Sequence, residues 1–276
     1  MTGISSLAKS TVLVLITGLV ALNPTRIQAH IAGDELIPEP VVTSQQLILG
    51  KTTNIPATQT QQSVPASSKP TFVPTDNLVS QAWWQEKVKS QVTATRRRQY
   101  DACLFGDSIS SGIGNTLGEG TFNFALGGMS TVSLIEQLNI LTSAKVKCNA
   151  AIIAMGTNDA EYGIANDKFV KNLKDSIALV KGLGATSVFL IPAFYSTVEA
   201  SHNPRQAGSI ARVEEVSSLI RQVAANENVG IFEQDIQSLY EGQALRKDMT
   251  TDGVHLNAKG KKIYRQALLK LLHSIR

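Results

Sequence analysis

Tyr100-Asp101-Ala102-Cys103-Leu104-Phe105-Gly106-Asp107-Ser108-Ile109-Ser110 decides how this chain is read. The residues up to Phe105 form a short apolar run, the mark of a parallel strand buried on both faces. Ser110, Ser111, Gly112 and Gly114 follow, small residues that suit a tight strand-to-helix turn. Ser108 therefore falls at the carboxyl end of a strand and beside a helix amino terminus. In open α/β sheets ligands bind at that edge, and the free N–H groups there favour developing negative charge. Standing alone, a Gly-Asp-Ser turn is more often a helix cap than a nucleophile. Its meaning depends on what the rest of the chain brings to the same edge.

Downstream, strands and helices alternate. Thr121-Phe122-Asn123-Phe124-Ala125 reads as a second short strand, and residues 132–141 as a helix with Leu134, Ile135, Leu138 and Leu141 on one face. Ala150 to Met155 is a strand, and residues 169–183 a helix carrying Leu173, Ile177 and Val180. Ser187 to Ile191 is a strand stopped by Pro192, followed by a helix at 210–225, a last strand at 229–232 and a terminal helix at 258–275. This alternation predicts an α/β fold with a doubly wound parallel sheet.

Upstream, the chain has a different character. Lys9 precedes the apolar run 11–22, too short to span a bilayer comfortably, and Ile27-Gln28-Ala29 offers a small residue at a cleavage position. Residues 1–29 are expected to be a secretory signal cleaved after Ala29, or an amino-terminal anchor if uncleaved. Six of the nine prolines, with Thr, Ser and Gln, fall in residues 30–75, which are expected to be a disordered tether. Residues 76–98 are expected to form a helical arm packed on the domain, capped by Asn77 and carrying Val79, Trp83, Val88 and Val92, with the Trp83-Trp84 pair as its anchor. Residues 99–276 would be the folded domain. The chain is thus expected to be secreted, periplasmic or in the cell envelope, and monomeric.

At 276 residues, 43% apolar and 17% charged, with net charge +4, the chain can bury one full-sized core. Arg96-Arg97-Arg98 has no aromatic interleaving after it and reads as a solvated helix end, not a nucleic-acid surface. The two cysteines show no metal-ligand spacing, so neither metal nor cofactor is expected. Counting back from the strand ends offsets Cys103 and Cys148 by about five residues, roughly 16 Å at a strand's rise, so both are expected to be free thiols.

The loops at the strand ends supply the chemistry. Gly127-Gly128 lets the backbone pass close to a ligand with its N–H groups unpaired. Met155-Gly156-Thr157-Asn158-Asp159 puts Asn158 at the end of the third strand. Thr251-Asp252-Gly253-Val254-His255 brings an Asp and a His three residues apart, so that the carboxylate can hold one imidazole nitrogen and leave the other as a free base. The other histidines fit less well: His30 lies at the expected mature terminus, His273 suits the end of a helix, and His202 is a surface-loop position that could line a cleft. A serine needs an adjacent base to become a nucleophile, and the oxyanion formed at an ester carbonyl needs preorganised donors. This inventory is that of acyl transfer.

The blocks Gly106-Asp107-Ser108-Ile109, Asn123 through Gly128, Gly156-Thr157-Asn158-Asp159 and Asp252-Gly253-Val254-His255 resemble, in order, those of the SGNH (GDSL-type) hydrolases. The likeness runs from about Tyr100 to the terminus, with Ile109 in place of the family's Leu. It implies a three-layer, flavodoxin-like fold with a five-stranded sheet. It also implies Ser108 as nucleophile, His255 as general base and Asp252 as its partner. The oxyanion hole would come from the N–H of Ser108, the N–H of Gly128 or else Gly127, and the side chain of Asn158. Asp107 is then a loop-stabilising group. The expected substrate is a small, often acetyl, ester of a carbohydrate or lipid. An O-acyltransferase acting on cell-wall or extracellular polysaccharide, or a lysophospholipase, would use the same acyl-enzyme. Substrate choice is expected to lie in the loops after Pro192 and around Tyr162-Gly163.

Overall fold

A computed structural model describes residues 75–275. The expected signal segment, and the tether up to residue 74, lie outside the described residues. A 3-10 turn at Leu78–Ser80 leads into α1 (Ala82–Thr95). Then come β1 (Gln99–Gly106), α2 (Ser108–Ser111), β2 (Thr121–Asn123), α3 (Thr131–Ser143), β3 (Lys147–Ala154), α4 (Thr157–Glu161) and α5 (Asn166–Gly182). They are followed by β4 (Ser187–Ile191), α6 (Val198–Ser201), α7 (Ile210–Asn226) and β5 (Gly230–Ile231). A small hairpin of β6 (Tyr240–Glu241) and β7 (Ala244–Leu245), and α8 (Ala258–Ser274), complete the order.

Five strands form one parallel sheet in the order β2-β1-β3-β4-β5. The chain goes out from β1 to β2 and returns to β3, so winding reverses between β1 and β3. That reversal is the switch point where doubly wound sheets bind ligands. The expected fold is the observed one.

Alternation along β1 explains the layers. Cys103 and Phe105 face a core shared with Leu134, Leu138 and Leu141 of α3, Phe169, Leu173 and Ile177 of α5, and Val216 and Ile220 of α7. Ala102 and Leu104 face the opposite core, closed by Ile109, Ile236, Tyr264 and Leu268. Each large side chain buried this way contributes about 1.5–3 kcal/mol over leaving it in water. The strands read as continuous apolar runs because both faces are covered.

Two expectations need correction. In the arm, Asn77 makes no side-chain cap and α1 begins only after Gln81. Its buried stripe runs through Trp84 and Val88, which are four residues apart, whereas Trp83 is 45% exposed and Val79 also faces solvent. Of the two tryptophans, only Trp84 faces the core.

The cysteines are not free. Cys103 and Cys148 form a disulfide, with Cα atoms 5.9 Å apart. Cys103 pairs across the sheet with Ala151, so the offset between the cysteines is three residues, not five. The strands are also not uniform there. The N–H groups of Asp101 and Ala102 both donate to the Gly120 carbonyl, the signature of a bulge, and the alternation slips so that Tyr100 and Cys103 share one face. In β3, Cys148 joins the core of Ala151 and Ile153 in the same way. A constant rise per residue overestimates the separation across such a slip.

Candidate active site

Four loops carry the expected residues: those after β1, β2 and β3, and the turn before α8. Ser108 opens α2 directly after β1, and Asp107 caps that turn, its Oδ1 accepting from the Ile109 N–H at 2.9 Å. Asp107 is almost wholly buried. Burial pushes its carboxyl up to about 6, against the pull of the Ile109 N–H, the Thr157 hydroxyl and the nearby His255. Its partners are those of a group that holds the turn.

Asp252 and His255 lie on the turn before α8. Asp252 Oδ1 accepts from the N–H groups of Val254 at 2.9 Å and His255 at 2.8 Å, so the carboxylate is fixed by its own loop. Its Oδ2 lies 2.7 Å from His255 Nδ1. Burial pulls the Asp252 carboxyl upward, but the hydrogen bonds from the imidazole and these two N–H groups outweigh it and hold the group below its ordinary value. An ionised carboxylate accepts only, so Nδ1 carries the proton and Nε2 is left as the base. Ser108 Oγ sits 2.9 Å from that Nε2. Hydroxyl, imidazole and carboxylate thus form one continuous chain of hydrogen bonds.

Thr250 shapes this turn by donating from Oγ1 to the His255 carbonyl and accepting from the Gly253 N–H. The loop after α6 braces it from the side, through Gln206 Nε2, which donates to the Asp252 carbonyl at 2.5 Å. His202, the histidine considered for a cleft, ends α6, and it is Gln206 rather than His202 that reaches the turn.

Asn158, 7% exposed, is in the first turn of α4. The turn before it depends on Gly156, whose φ is +123° and where a Cβ would come within 2.9 Å of Val216 Cγ1. One amide hydrogen of Asn158 Nδ2 is spent on the Met129 carbonyl at 2.9 Å, which fixes the side chain and leaves the other free. The Asn123–Thr131 loop is tied to the serine turn from its other end. Asn123 Nδ2 donates to the Ser110 and Gly114 carbonyls at 2.8 and 3.1 Å. Both glycines of this loop are at the site. A Cβ on Gly127 would lie 3.8 Å from Ser108 Cβ, while Gly128 has φ +73° and its carbonyl accepts from Tyr162 Oη at 2.9 Å.

The contacts of three further groups at the site are not visible in the sequence, although Tyr162 and Asp159 lie in stretches it singles out. Tyr162 holds Gly128. Asp159, fully buried, accepts from the Thr131 N–H at 3.0 Å and the Thr131 hydroxyl at 2.6 Å, and burial raises its carboxyl to about 7. Glu161 is half-buried close to His255; burial raises its carboxyl and the histidine opposes the rise. Asp159 lies within the quoted block, but its partner is 28 residues away and no local spacing announces it.

The GDSL-like Lipase/Acylhydrolase family profile matches residues 104–263, a stretch that includes all four loops. The chain belongs to that family. It is an ester-hydrolysing enzyme. Solved structures share the fold at low identity. A GDSL-like lipase from Bacteroides thetaiotaomicron VPI-5482 is 14% identical, with a TM-score of 0.58 over 69% of this chain and 98% of its own. The lipase/acylhydrolase from Enterococcus faecalis is 20% identical, with a TM-score of 0.51 over 63% of this chain and 96% of its own. A member of the lipolytic G-D-S-L family from Veillonella parvula DSM 2008 is 19% identical, with a TM-score of 0.50 over 63% and 97%. No curated protein sequence matches the chain.

Proposed function

We propose that this family member is an exported serine esterase that removes a small acyl group, acetyl above all, from a carbohydrate or lipid. The observation that carries the reading is the continuous Ser108–His255–Asp252 hydrogen-bond chain. Ser108 Oγ attacks the ester carbonyl while His255 Nε2 takes its proton, and Asp252 stabilises the imidazolium. The oxyanion is met by the Ser108 N–H, which as the first helical N–H has no intrahelical acceptor, and by the Gly128 N–H and the second Asn158 amide hydrogen. Collapse breaks the bond to the alkoxy oxygen, which leaves with the proton from His255. Water then attacks the acyl-serine while the same nitrogen takes its proton, the acyl–Oγ bond breaks, and that proton passes to Ser108 Oγ as the acid leaves.

Two observations support the finer parts. The side chains of Asp252 and His255 are each 48% exposed and Ser108 is half-buried, so the histidine side of the site leaves room for an ester whose alcohol part is large. A buried disulfide fits an oxidising compartment, in agreement with the expected signal segment and tether.

The test is hydrolysis of p-nitrophenyl esters from acetyl to palmitoyl, by the protein and by Ser108→Ala. Activity falling steeply past acetyl and lost in the variant is the expected result. Activity kept on long chains would replace the reading with a lysophospholipase. Serine-dependent transfer to an added sugar, with little hydrolysis, would replace it with an acyltransferase.

A further inference from the structure

We infer that the arm preceding the family domain positions the loop that carries Gly128, with Asp76 as the positioning residue. This inference rests on the oxyanion role proposed for that loop.

The loop ends where α3 begins, and a helix start leaves backbone N–H groups without acceptors. Here those N–H groups are satisfied almost entirely from outside the helix. The Thr131 N–H goes to Asp159 and the Val132 N–H to Ser130 Oγ at 3.1 Å. Asp76 takes the rest. Its Oδ2 accepts from the Ser130 N–H at 3.1 Å, Ser130 Oγ at 2.5 Å, the Ser133 N–H at 3.2 Å and Ser133 Oγ at 2.7 Å. Its Oδ1 accepts from the Leu78 N–H at 3.1 Å, which turns the chain into the 3-10 segment. Charge-assisted bonds of this kind are roughly twice as strong as neutral ones.

That turn puts Leu78 against the glycine. A Cβ on Gly128 would lie 3.6 Å from Leu78 Cδ1 and 3.5 Å from Tyr162 Oη, so Gly128 is held between the arm and the residue that follows α4. The arm also grips the start of the loop. Gln91 Nε2 donates to the Phe124 carbonyl at 3.1 Å, as Gln137 Nε2 does at 2.7 Å, and Gln137 also donates to Gln91 Oε1. Trp84 and Val88, buried in the main core, set α1 in place for these contacts. The arm therefore touches the loop at Phe124, Gly128 and Ser130. None of the arm lies within the family-matched residues 104–263. A donor displaced by about 1 Å can cost about a hundredfold in rate, so a clamp on this loop acts on turnover.

The experiment measures kcat and KM on p-nitrophenyl acetate for full-length Asp76→Ala, Asp76→Asn, Leu78→Ala, Ser133→Ala, and Val79→Ala as an exposed control on the same turn. Each variant is checked for cooperative unfolding by urea. Asp76→Ala should lose about tenfold or more in kcat with KM within about twofold. Asp76→Asn, which keeps an acceptor oxygen, should recover part of the loss, and Val79→Ala should match the parent. A folded Asp76→Ala with kcat within about twofold of the parent would overturn the inference. If Asp76→Ala does not fold, unchanged kcat in both Leu78→Ala and Ser133→Ala would overturn it equally. Asn158→Ala, run alongside, separates the two claims. Full activity there would sink the oxyanion reading itself, whereas loss there with an unaffected Asp76→Ala sinks the arm's role alone.

Discussion

Removing the Cys103–Cys148 bridge should cost the fold about 4 kcal/mol without disabling the site. The bridge closes a loop across a sequence separation of 45 residues. With the chain-entropy relation, cross-linking a loop of that length takes about 13 cal/mol/K from the unfolded ensemble, or about 4 kcal/mol at 25 °C. Both side chains are fully buried in the main core, so Cys103→Ala/Cys148→Ala adds the loss of sulfur packing to that figure. A domain is typically stable by about 5–15 kcal/mol, so the variant should remain folded but sit much closer to the threshold. The assay is urea unfolding of the oxidised protein and the double variant. The midpoint should fall sharply and the slope should rise, because the unlinked chain exposes more surface. Turnover under native conditions should change little, since neither sulfur belongs to the Ser108–His255–Asp252 chain. A stability difference below about 1 kcal/mol would refute the reasoning, as would two thiols that react with a maleimide in the unfolded, unreduced protein.

Asn158→Ala should lower kcat on p-nitrophenyl acetate by about 10²–10³, the usual worth of one oxyanion donor, with a smaller loss of stability from the bond to the Met129 carbonyl. A kcat within about threefold of the parent would remove Asn158 from the hole. Asp159 gives a pH prediction whose sign follows from its raised value of about 7. The folded state holds that proton more tightly than the unfolded chain does. Its contribution is therefore fully present below the unfolded value of 3.8 and is lost as pH rises through about 7. Asp159→Asn cancels this slope, so its stability relative to the parent should improve by about 2–4 kcal/mol from pH 4 to pH 8 in urea titrations. An equal difference at both pH values would show that Asp159 does not titrate in that window.

The parts of the fold that were legible in the sequence are those written in short-range patterns. Strands buried on both faces are apolar throughout, and α5 shows Leu173, Ile177 and Val180 at helical spacing, so both kinds of element announced themselves. The β6–β7 hairpin has two residues in each strand, too few to show any period. The catalytic-type residues were legible for the same reason. Asp252 and His255 sit on one turn, and Ser108 and Asn158 each follow a strand end marked by glycine. What was not legible depends on distance in sequence or on local irregularity. The disulfide is not legible because strand ends do not give the β1–β3 register, which sets the cysteines three residues apart and not five, nor the irregularity at Asp101–Ala102. Trp84 was not separated from Trp83, because adjacent aromatics on a helix give no sign of which one faces inward until the neighbouring layer is known. Asp76 contacts partners 54 and 57 residues away, and its own surroundings carry no pattern that points to them. The same division has a functional side. Groups that do chemistry on a small ester must converge at one sheet edge, and topology brings strand ends there whatever the rest of the chain does. Groups that hold such loops still can come from anywhere that packing allows, including a segment upstream of the domain. Two chains with the same blocks can therefore hold the Gly128 loop with different firmness, and for this chain the difference lies in the arm.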